Sequence, residues 1–186
     1  MIILNVYRLR DDLEIPTYGT SLSNCFDLSF QPTSDIVTGY DKFNNKIQQQ
    51  INNFGEITIN PGDRLLIPTG LIFKIERQIT IERFSDITKH EDTPLANYSI
   101  RLHPRSGLSL KRGLVLANSE GIVDVDYQEQ VFVLMTNISD VSQVIKRGER
   151  IAQAEVTCNE KVDFLVLAKQ PEKHSERSGG FGSTGV

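Results

Sequence analysis

Short apolar runs separated by polar turns dominate the 186-residue chain. The runs are rich in Ile, Val, Leu and Phe, residues that favour strands: EITI, RLLIP, GLIFKI, YSIRL, QVFVLMTN, RIAQAEV and FLVLA. Turn signals lie between several of them, namely NPGD at 60–63, PTG at 68–70 and KRG at 146–148. No long helical periodicity competes, although KRGLVLANS is compatible with a brief helical turn. Short strands at this spacing predict an all-β sandwich or barrel.

Two polar segments and a glycine-rich end interrupt this pattern. Residues 33–55, centred on NNKIQQQINN, predict a loop or a short excursion from the sheet. Residues 76–97 mix RQITIERF with TKHEDT and predict a protruding hairpin. Residues 177–186, RSGGFGSTGV, are too rich in glycine to pack and predict a flexible arm. We therefore expect one β domain over 1–176, with extra segments near 33–55 and 76–97, followed by the arm.

Composition narrows the classes of function. The chain is 39% hydrophobic and 24% charged, and its net charge of −4 gives no general attraction to nucleic acid or anionic membranes. Cys25 and Cys158 lie far apart without a CxxC spacing, which predicts two free thiols. The first residues, MIILNVYRLR, contain no apolar stretch of signal-peptide length. We therefore expect an intracellular, cytoplasmic protein, in the host cell cytoplasm if it is virus-encoded.

The segment GIVDVDYQEQ contains an unusual pair of acids. Side chains alternate along a strand, so Asp124 and Asp126 would share one face, where like charges repel. The chain must therefore bend at this point or bind a cation.

Three further segments carry groups that suit phosphate. PRSG at 104–107 offers an arginine, a hydroxyl and turn amides, although a plain turn with a solvated arginine explains it equally well. RGERIAQ at 147–153 reads by itself as a turn and a strand. The glycines of GFGSTG satisfy GxGxxG, but only Val186 follows, so no helix of a dinucleotide fold can begin there. Backbone N–H groups of glycine, which no side chain covers, can still approach phosphate oxygens closely and donate hydrogen bonds to them.

Five segments in order resemble the five motifs of the homotrimeric dUTP pyrophosphatase (dUTPase) family: CFDLSF, PRSGLSL, NSEGIVDVDYQ, RGERIAQ and GGFGSTG. The resemblance implies a β jelly roll and a homotrimer with shared active sites, the arm of one chain closing over a neighbour's pocket. It also implies Mg²⁺-dependent hydrolysis of dUTP to dUMP and pyrophosphate, by water attack at the α-phosphate.

The same resemblance assigns roles to residues. Asp124 is the general base, and Asp27 holds Mg²⁺ through water. Asn118, Gly121 and Ile122 match the uracil edge, while Tyr127 packs against the deoxyribose. The remaining substrate-binding residues are Arg105, Ser106, Gly107 and Gln153, with Arg177, Phe181, Gly182, Ser183 and Thr184 from the arm. Glu176 occupies the usual arginine position of the arm, which leaves Arg177 or another cation for the γ-phosphate.

Two alternatives stay open. The dCTP deaminase branch resembles the same fold but carries a catalytic glutamate where this chain has Leu134. A regulatory protein that keeps the fold without turnover is the other alternative, with the two extra segments as partner surfaces.

Overall fold

Strands make up most of the fold in a computed structural model that describes residues 2–77 and 95–172. The strands are β1 Ile2–Arg8, β2 Thr17–Tyr18, β3 Phe26–Ser29, β4 Ile36–Tyr40, β5 Lys46–Gln50, β6 Glu56–Ile59, β7 Arg64–Pro68, β8 Leu71–Arg77, β9 Tyr98–Pro104, β10 Leu114–Leu116, β11 Gly121–Asp124, β12 Phe132–Asn137, β13 Gln143–Lys146 and β14 Arg150–Cys158. A 3₁₀ turn spans Leu95–Asn97, and a short helix, α1, spans Ser106–Arg112.

Two five-stranded antiparallel sheets form the body of the molecule. Their strand orders are β10-β12-β7-β4-β5 and β11-β9-β14-β3-β2, and the pairs β1-β8 and β13-β6 complete the fold. Consecutive residues alternate between core and solvent, as in β3, where Phe26 and Leu28 are buried and Asp27 faces outward. Inward-facing residues of both sheets form one hydrophobic core. The all-β prediction is confirmed, and the architecture is of the jelly-roll type.

The apolar runs predict most strands correctly. EITI, RLLIP, YSIRL and RIAQAEV lie in strands, as do GLIFKI from Leu71 onward and QVFVLMTN from Phe132 onward. FLVLA, residues 164–168, is the exception: it forms no strand, and the exposed fraction of Phe164 is 92%. A strand requires a hydrogen-bonding neighbour, and within the described part of the chain this run has none. The helical turn expected within KRGLVLANS is also misplaced, because α1 begins earlier, at Ser106, and Leu114–Leu116 is a strand.

The expectation of a loop or a short excursion from the sheet over 33–55 is wrong. The segment forms the β4–β5 hairpin, and β4 pairs with β7 in the register Gly39↔Leu65. The segment is polar although it forms strands, because β5 is an edge strand whose alternate side chains face solvent. The hairpin is therefore an integral part of one sheet.

The second extra segment and the arm fall largely outside the described residues. Glu76 and Arg77 end β8, and residues 95–97 form the 3₁₀ turn. The hairpin expected at 76–97 depends on residues 78–94, and the arm at 177–186 also lies beyond residue 172. Over 2–77 and 95–172, no helix is long and apolar enough to cross a membrane.

The place of the β4–β5 hairpin in the sheet can be tested at Gly39. A Cβ atom there would lie 2.0 Å from the Arg64 carbonyl oxygen and 2.7 Å from Leu65 Cδ2. We expect Gly39→Ala to lower the free energy of unfolding by about 1–3 kcal/mol or more, because the sheet must shift to admit the methyl group. Gly19→Ala is the matched control, since its Cβ would meet only Ser23 Oγ at 3.7 Å. Equal urea midpoints for the two variants would contradict this packing.

Candidate active site

The two acids of GIVDVDY are separated by a turn. Asp124 is the last residue of β11, and its carbonyl oxygen accepts a 3.1 Å hydrogen bond from the Tyr127 amide. Asp126 therefore lies within the turn and does not share a strand face with Asp124. The bend predicted from the sequence is confirmed.

A pocket of about 400 Å³ lies beside this turn. The predicted residues Asn118, Gly121, Ile122 and Tyr127 line it, and its remaining walls are mostly apolar, formed by Leu66, Leu102, Leu116, Val123, Val131, Phe132 and Leu134. Tyr127 is fixed because its hydroxyl donates a 3.0 Å hydrogen bond to the Gln130 carbonyl. A flat apolar cleft with a few polar groups suits a nucleobase and its sugar. We name it the nucleoside pocket.

A side chain would be crowded at Gly121, which lines this pocket. A Cβ atom on Gly121 would lie 3.0 Å from both Cβ and Cδ1 of Leu102, the residue opposite it on β9. The absence of a side chain lets the β11 backbone lie close against β9. It also leaves the backbone N–H and C=O groups of β11 open to a ligand. Ser119, two residues earlier, has a positive φ of 62°, which fixes the tight link from β10 to β11.

A second pocket, also of about 400 Å³, surrounds the first turn of α1. Its lining includes all four predicted phosphate-contact residues from the β domain, and the full set is Arg105, Ser106, Gly107, Leu108, Lys111, Arg112, Glu149 and Gln153. The Gln153 amide donates a 3.1 Å hydrogen bond to the Pro104 carbonyl. Arg112 is ion-paired with Glu149, so it is partly neutralised. We name this cavity the phosphate pocket.

Gly107 differs from Gly121 in what surrounds it. A Cβ atom on Gly107 would meet nothing within 4 Å, although the residue lies in a helix, where glycine costs about 1 kcal/mol relative to alanine. Packing within this chain therefore does not require glycine at this position. A ligand or a second chain that approached this open position would meet bare backbone.

Asp27 is held between two arginines. One carboxylate oxygen lies 2.9 Å from Arg105 Nε, and the other lies 2.9 Å from an Arg150 Nη atom. Only 14% of the Asp27 side chain is exposed. Arg150, to which the motifs assign no role, also lines with Asp27 a larger cavity of about 930 Å³ beside the loop that follows β1. Over residues 2–77 and 95–172, no cluster of three His, Cys, Asp or Glu side chains could hold a metal ion.

The electrostatic surroundings of Asp27 also affect its neighbour Cys25. Burial, followed by the charges of Glu155 and Asp27, raises the pKa of this thiol. The thiolate is the nucleophilic form, so Cys25 is poorly suited to nucleophilic chemistry near neutral pH.

Asp124 and Arg105 lie far apart in one chain. Asp124 pairs with Ser99 at the start of β9, and Arg105 follows the end of that strand. Six residues of extended chain separate Ser99 from Arg105, which corresponds to about 20 Å. The structure thus brings the predicted residues together as two groups, and the arm residues Arg177, Phe181, Gly182, Ser183 and Thr184 lie outside the described part.

The structure thus defines a β jelly-roll protein with a nucleoside-type pocket and an anion-type pocket. A sequence profile of the dUTPase family matches residues 92–185. A deoxyuridine 5'-triphosphate nucleotidohydrolase from Hydrogenobaculum sp. is 31% identical over 183 residues, covering 98% of each chain. The chain belongs to the dUTPase family.

Solved structures share this fold. The dUTPase of Staphylococcus bacteriophage 80alpha, solved with dUpNHpp, superposes with a TM-score of 0.67 at 18% identity and covers 99% of each chain. A mutant dUTPase from phage phi11 of S. aureus, described with a structural Mg(II) ion, gives a TM-score of 0.59 at 15% identity. It covers 90% of this chain and 97% of its own.

Proposed function

We propose that the chain hydrolyses dUTP to dUMP and pyrophosphate by water attack at the α-phosphate, with Mg²⁺ as cofactor. The observation that carries the proposal is the division of the motif residues between one nucleoside pocket and one phosphate pocket.

Base selection is assigned to the nucleoside pocket. Uracil presents an acceptor, a donor and an acceptor, which the Asn118 amide and the backbone at Gly121 and Ile122 can match. Cytosine carries an amino group at one of these positions, and an unmatched buried donor costs about 1–3 kcal/mol. The Tyr127 ring takes the deoxyribose face and leaves no room for a ribose hydroxyl. Leu134 forms part of an apolar wall, where a deaminase would need its carboxylate.

Binding of the triphosphate is assigned to Arg105, Ser106, Gly107 and Gln153. The arginine and the hydroxyl donate to phosphate oxygens, and the bare helical backbone at Gly107 lets them approach closely. From the arm, Phe181 stacks on the base, and Arg177, Gly182, Ser183 and Thr184 complete the phosphate contacts. Arg177 is also the proposed cation at the γ-phosphate in place of the usual arginine.

Asp27 suits a role in metal binding through water. Its oxygens already accept arginine donors, but a carboxylate has about four acceptor positions, so water can occupy the others. Bound Mg²⁺ would neutralise and orient the phosphate oxygens.

Asp124 is the proposed general base. It accepts a proton from the attacking water as the bond from water oxygen to the α-phosphorus forms and the bond to the bridging oxygen of the leaving pyrophosphate breaks. Because its proposed substrate belongs to the intracellular nucleotide pool, we place the enzyme in the cytoplasm.

The same geometry supports the proposed homotrimer with shared sites. A base must lie within hydrogen-bond reach of the water it deprotonates, yet Asp124 and Arg105 are about 20 Å apart along β9. A nucleoside pocket from one chain and a phosphate pocket from a neighbour remove this conflict. The exposed run at 164–168 gives each chain an apolar segment that suits contact with another copy.

The central test of the proposal replaces the base. Asp124→Asn keeps the shape of the side chain and should lower dUTP turnover by about 10²- to 10⁴-fold, measured as pyrophosphate release with Mg²⁺. Asp126→Asn is the control, since Asp126 lies in the turn and has no assigned role. Comparable turnover in the two variants contradicts the proposed base, and ammonia release from dCTP would indicate the deaminase alternative.

A substitution at Gly107 should change substrate turnover without lowering the free energy of unfolding. We expect Gly107→Ala to leave the free energy of unfolding unchanged or to raise it by about 0.5–1 kcal/mol, since the position is helical and open. We expect kcat/KM for dUTP to fall by about 10- to 100-fold, because the methyl group holds the phosphates away. Parent-like kinetics would mean that no ligand approaches this glycine.

Assembly can be tested at the exposed apolar run. Light scattering should give about three times the 20.9 kDa chain mass. Replacing both Phe164 and Leu165 by Glu should weaken assembly and dUTP turnover together, and higher protein concentration should restore both. Phe54→Glu, at a turn residue that is 84% exposed, serves as control. An active monomer would rule out shared sites.

A further inference from the structure

A strained turn joins β10 to β11 beside the nucleoside pocket. The Glu120 amide donates a 2.7 Å hydrogen bond to the Asn118 carbonyl, two residues back, and Ser119 between them has a φ of 62°. A hydrogen bond from residue i+2 to residue i around a positive φ is the mark of the rarer, strained form of γ-turn. Such a backbone persists only where surrounding contacts hold it. We name residues 118–120 the 118–120 turn.

The turn connects groups that the proposed base contacts. The Asn118 side chain extends from the turn itself, and Gly121 and Ile122 follow as the first residues of β11. All three residues line the nucleoside pocket. Pairing with β9 fixes β11, and in that pair Ile122 lies opposite Arg101. Asn118 precedes the paired residues, so its direction relative to β11 depends on the backbone of the turn.

Arg101 holds the turn from the neighbouring strand. One of its Nη atoms donates a 2.8 Å hydrogen bond to a Glu120 carboxylate oxygen, and the other donates a 3.2 Å bond to Asn159 Oδ1. Asn159 is itself fixed, because its side chain donates to Ser99 Oγ at 3.2 Å and its backbone amide donates to the Asn97 carbonyl at 2.7 Å. The guanidinium is therefore anchored at both ends, and it gives Glu120 a defined position.

His103 approaches the same carboxylate from a second side. Its Nδ1 atom lies 3.7 Å from the other Glu120 oxygen, and its Nε2 atom lies 3.2 Å from a Glu155 oxygen on β14. The Arg101 side chain is only 22% exposed and that of Glu120 is 41% exposed. Isolated surface ion pairs contribute little, but shielding and several fixed partners strengthen a network. This network therefore links the 118–120 turn to β9 and β14.

We propose that Glu120 and Arg101 are positioning residues for base recognition. Their ion pair holds the 118–120 turn so that the Asn118 amide and the Gly121 backbone face the uracil edge together. This inference rests on the proposed dUTP hydrolysis and adds two residues to it. Without the pair the turn relaxes, because a positive φ is unfavourable for the non-glycine residue Ser119. The preference for uracil over cytosine then falls, since it depends on matched donors and acceptors.

Selectivity between dUTP and dCTP tests the proposal on the full chain. We expect Glu120→Ala to lower kcat/KM for dUTP by about 10- to 100-fold, because displacing orienting groups by about 1 Å can cost this much. The value for dCTP should fall far less, since the parent pocket does not match cytosine. Glu120→Gln keeps an acceptor for Arg101 and should retain part of the selectivity. Equal losses for both substrates, or no loss, overturn the positioning role.

A double-mutant cycle tests whether the two residues act as one unit. Arg101→Ala should reduce the ratio of the two kcat/KM values as Glu120→Ala does. Combining both changes should reduce it little further, because either single change already removes the ion pair. Losses that multiply in the double variant would show that the two residues act independently, which contradicts the proposed pair.

Glu76→Ala is the matched control. Glu76 pairs with Lys74 at 2.6 Å on β8 and lines neither of the two named pockets as the structure describes them. It should keep the parent's selectivity, and thermal melting of all variants checks folding. If the parent protein releases no pyrophosphate from dUTP, the proposed function fails. If the parent prefers dUTP to dCTP and Glu120→Ala keeps that preference, only the present inference fails.

Discussion

The hydrogen-bonded strand β9 fixes the distance between the two halves of the site. It pairs with β11 on one side and β14 on the other, so it can neither shorten nor bend freely. One end carries the pairing to Asp124, and the other leads directly into Arg105 and the helix. Because Asp124 and Arg105 are attached to opposite ends of one paired strand, a single chain cannot bring them together by small movements. Assembly of copies is the simplest physical solution.

The departures from regular β structure coincide with the proposed site. Gly121 removes a side chain where two strands approach closely, and Gly107 removes one where the chain itself leaves open space. A bulge in β14 at Ile151 redirects Arg150 away from the core. Each feature costs stability or regularity locally, and such exceptions are expected where function competes with folding.

The sequence predicts the central strands well because their signals are local, and several of the residues that it proposes for the site line two pockets of the structure. Strands with a buried face show apolar runs, and the motif residues are contiguous in the chain. Sequence patterns do not predict a strand or a side-chain direction correctly where it depends on a neighbouring strand. The edge strand β5 is polar because one side meets solvent, and the apolar run at 164–168 has no partner within the described part of its own chain. The outward direction of Arg150 was not predicted because a bulge is a property of strand register, which depends on two strands.

A net-acidic chain can still bind a polyanion because charge acts locally. Salt screens exposed charges beyond about 8–10 Å, so the overall charge of −4 has little influence inside a pocket. What matters is how nearby cations are neutralised. Arg112 has its own carboxylate in Glu149, whereas Arg105 and Arg150 share Asp27. Sharing leaves the pair positively charged and also fixes both guanidinium planes. The same acid therefore holds both arginines without cancelling their combined charge.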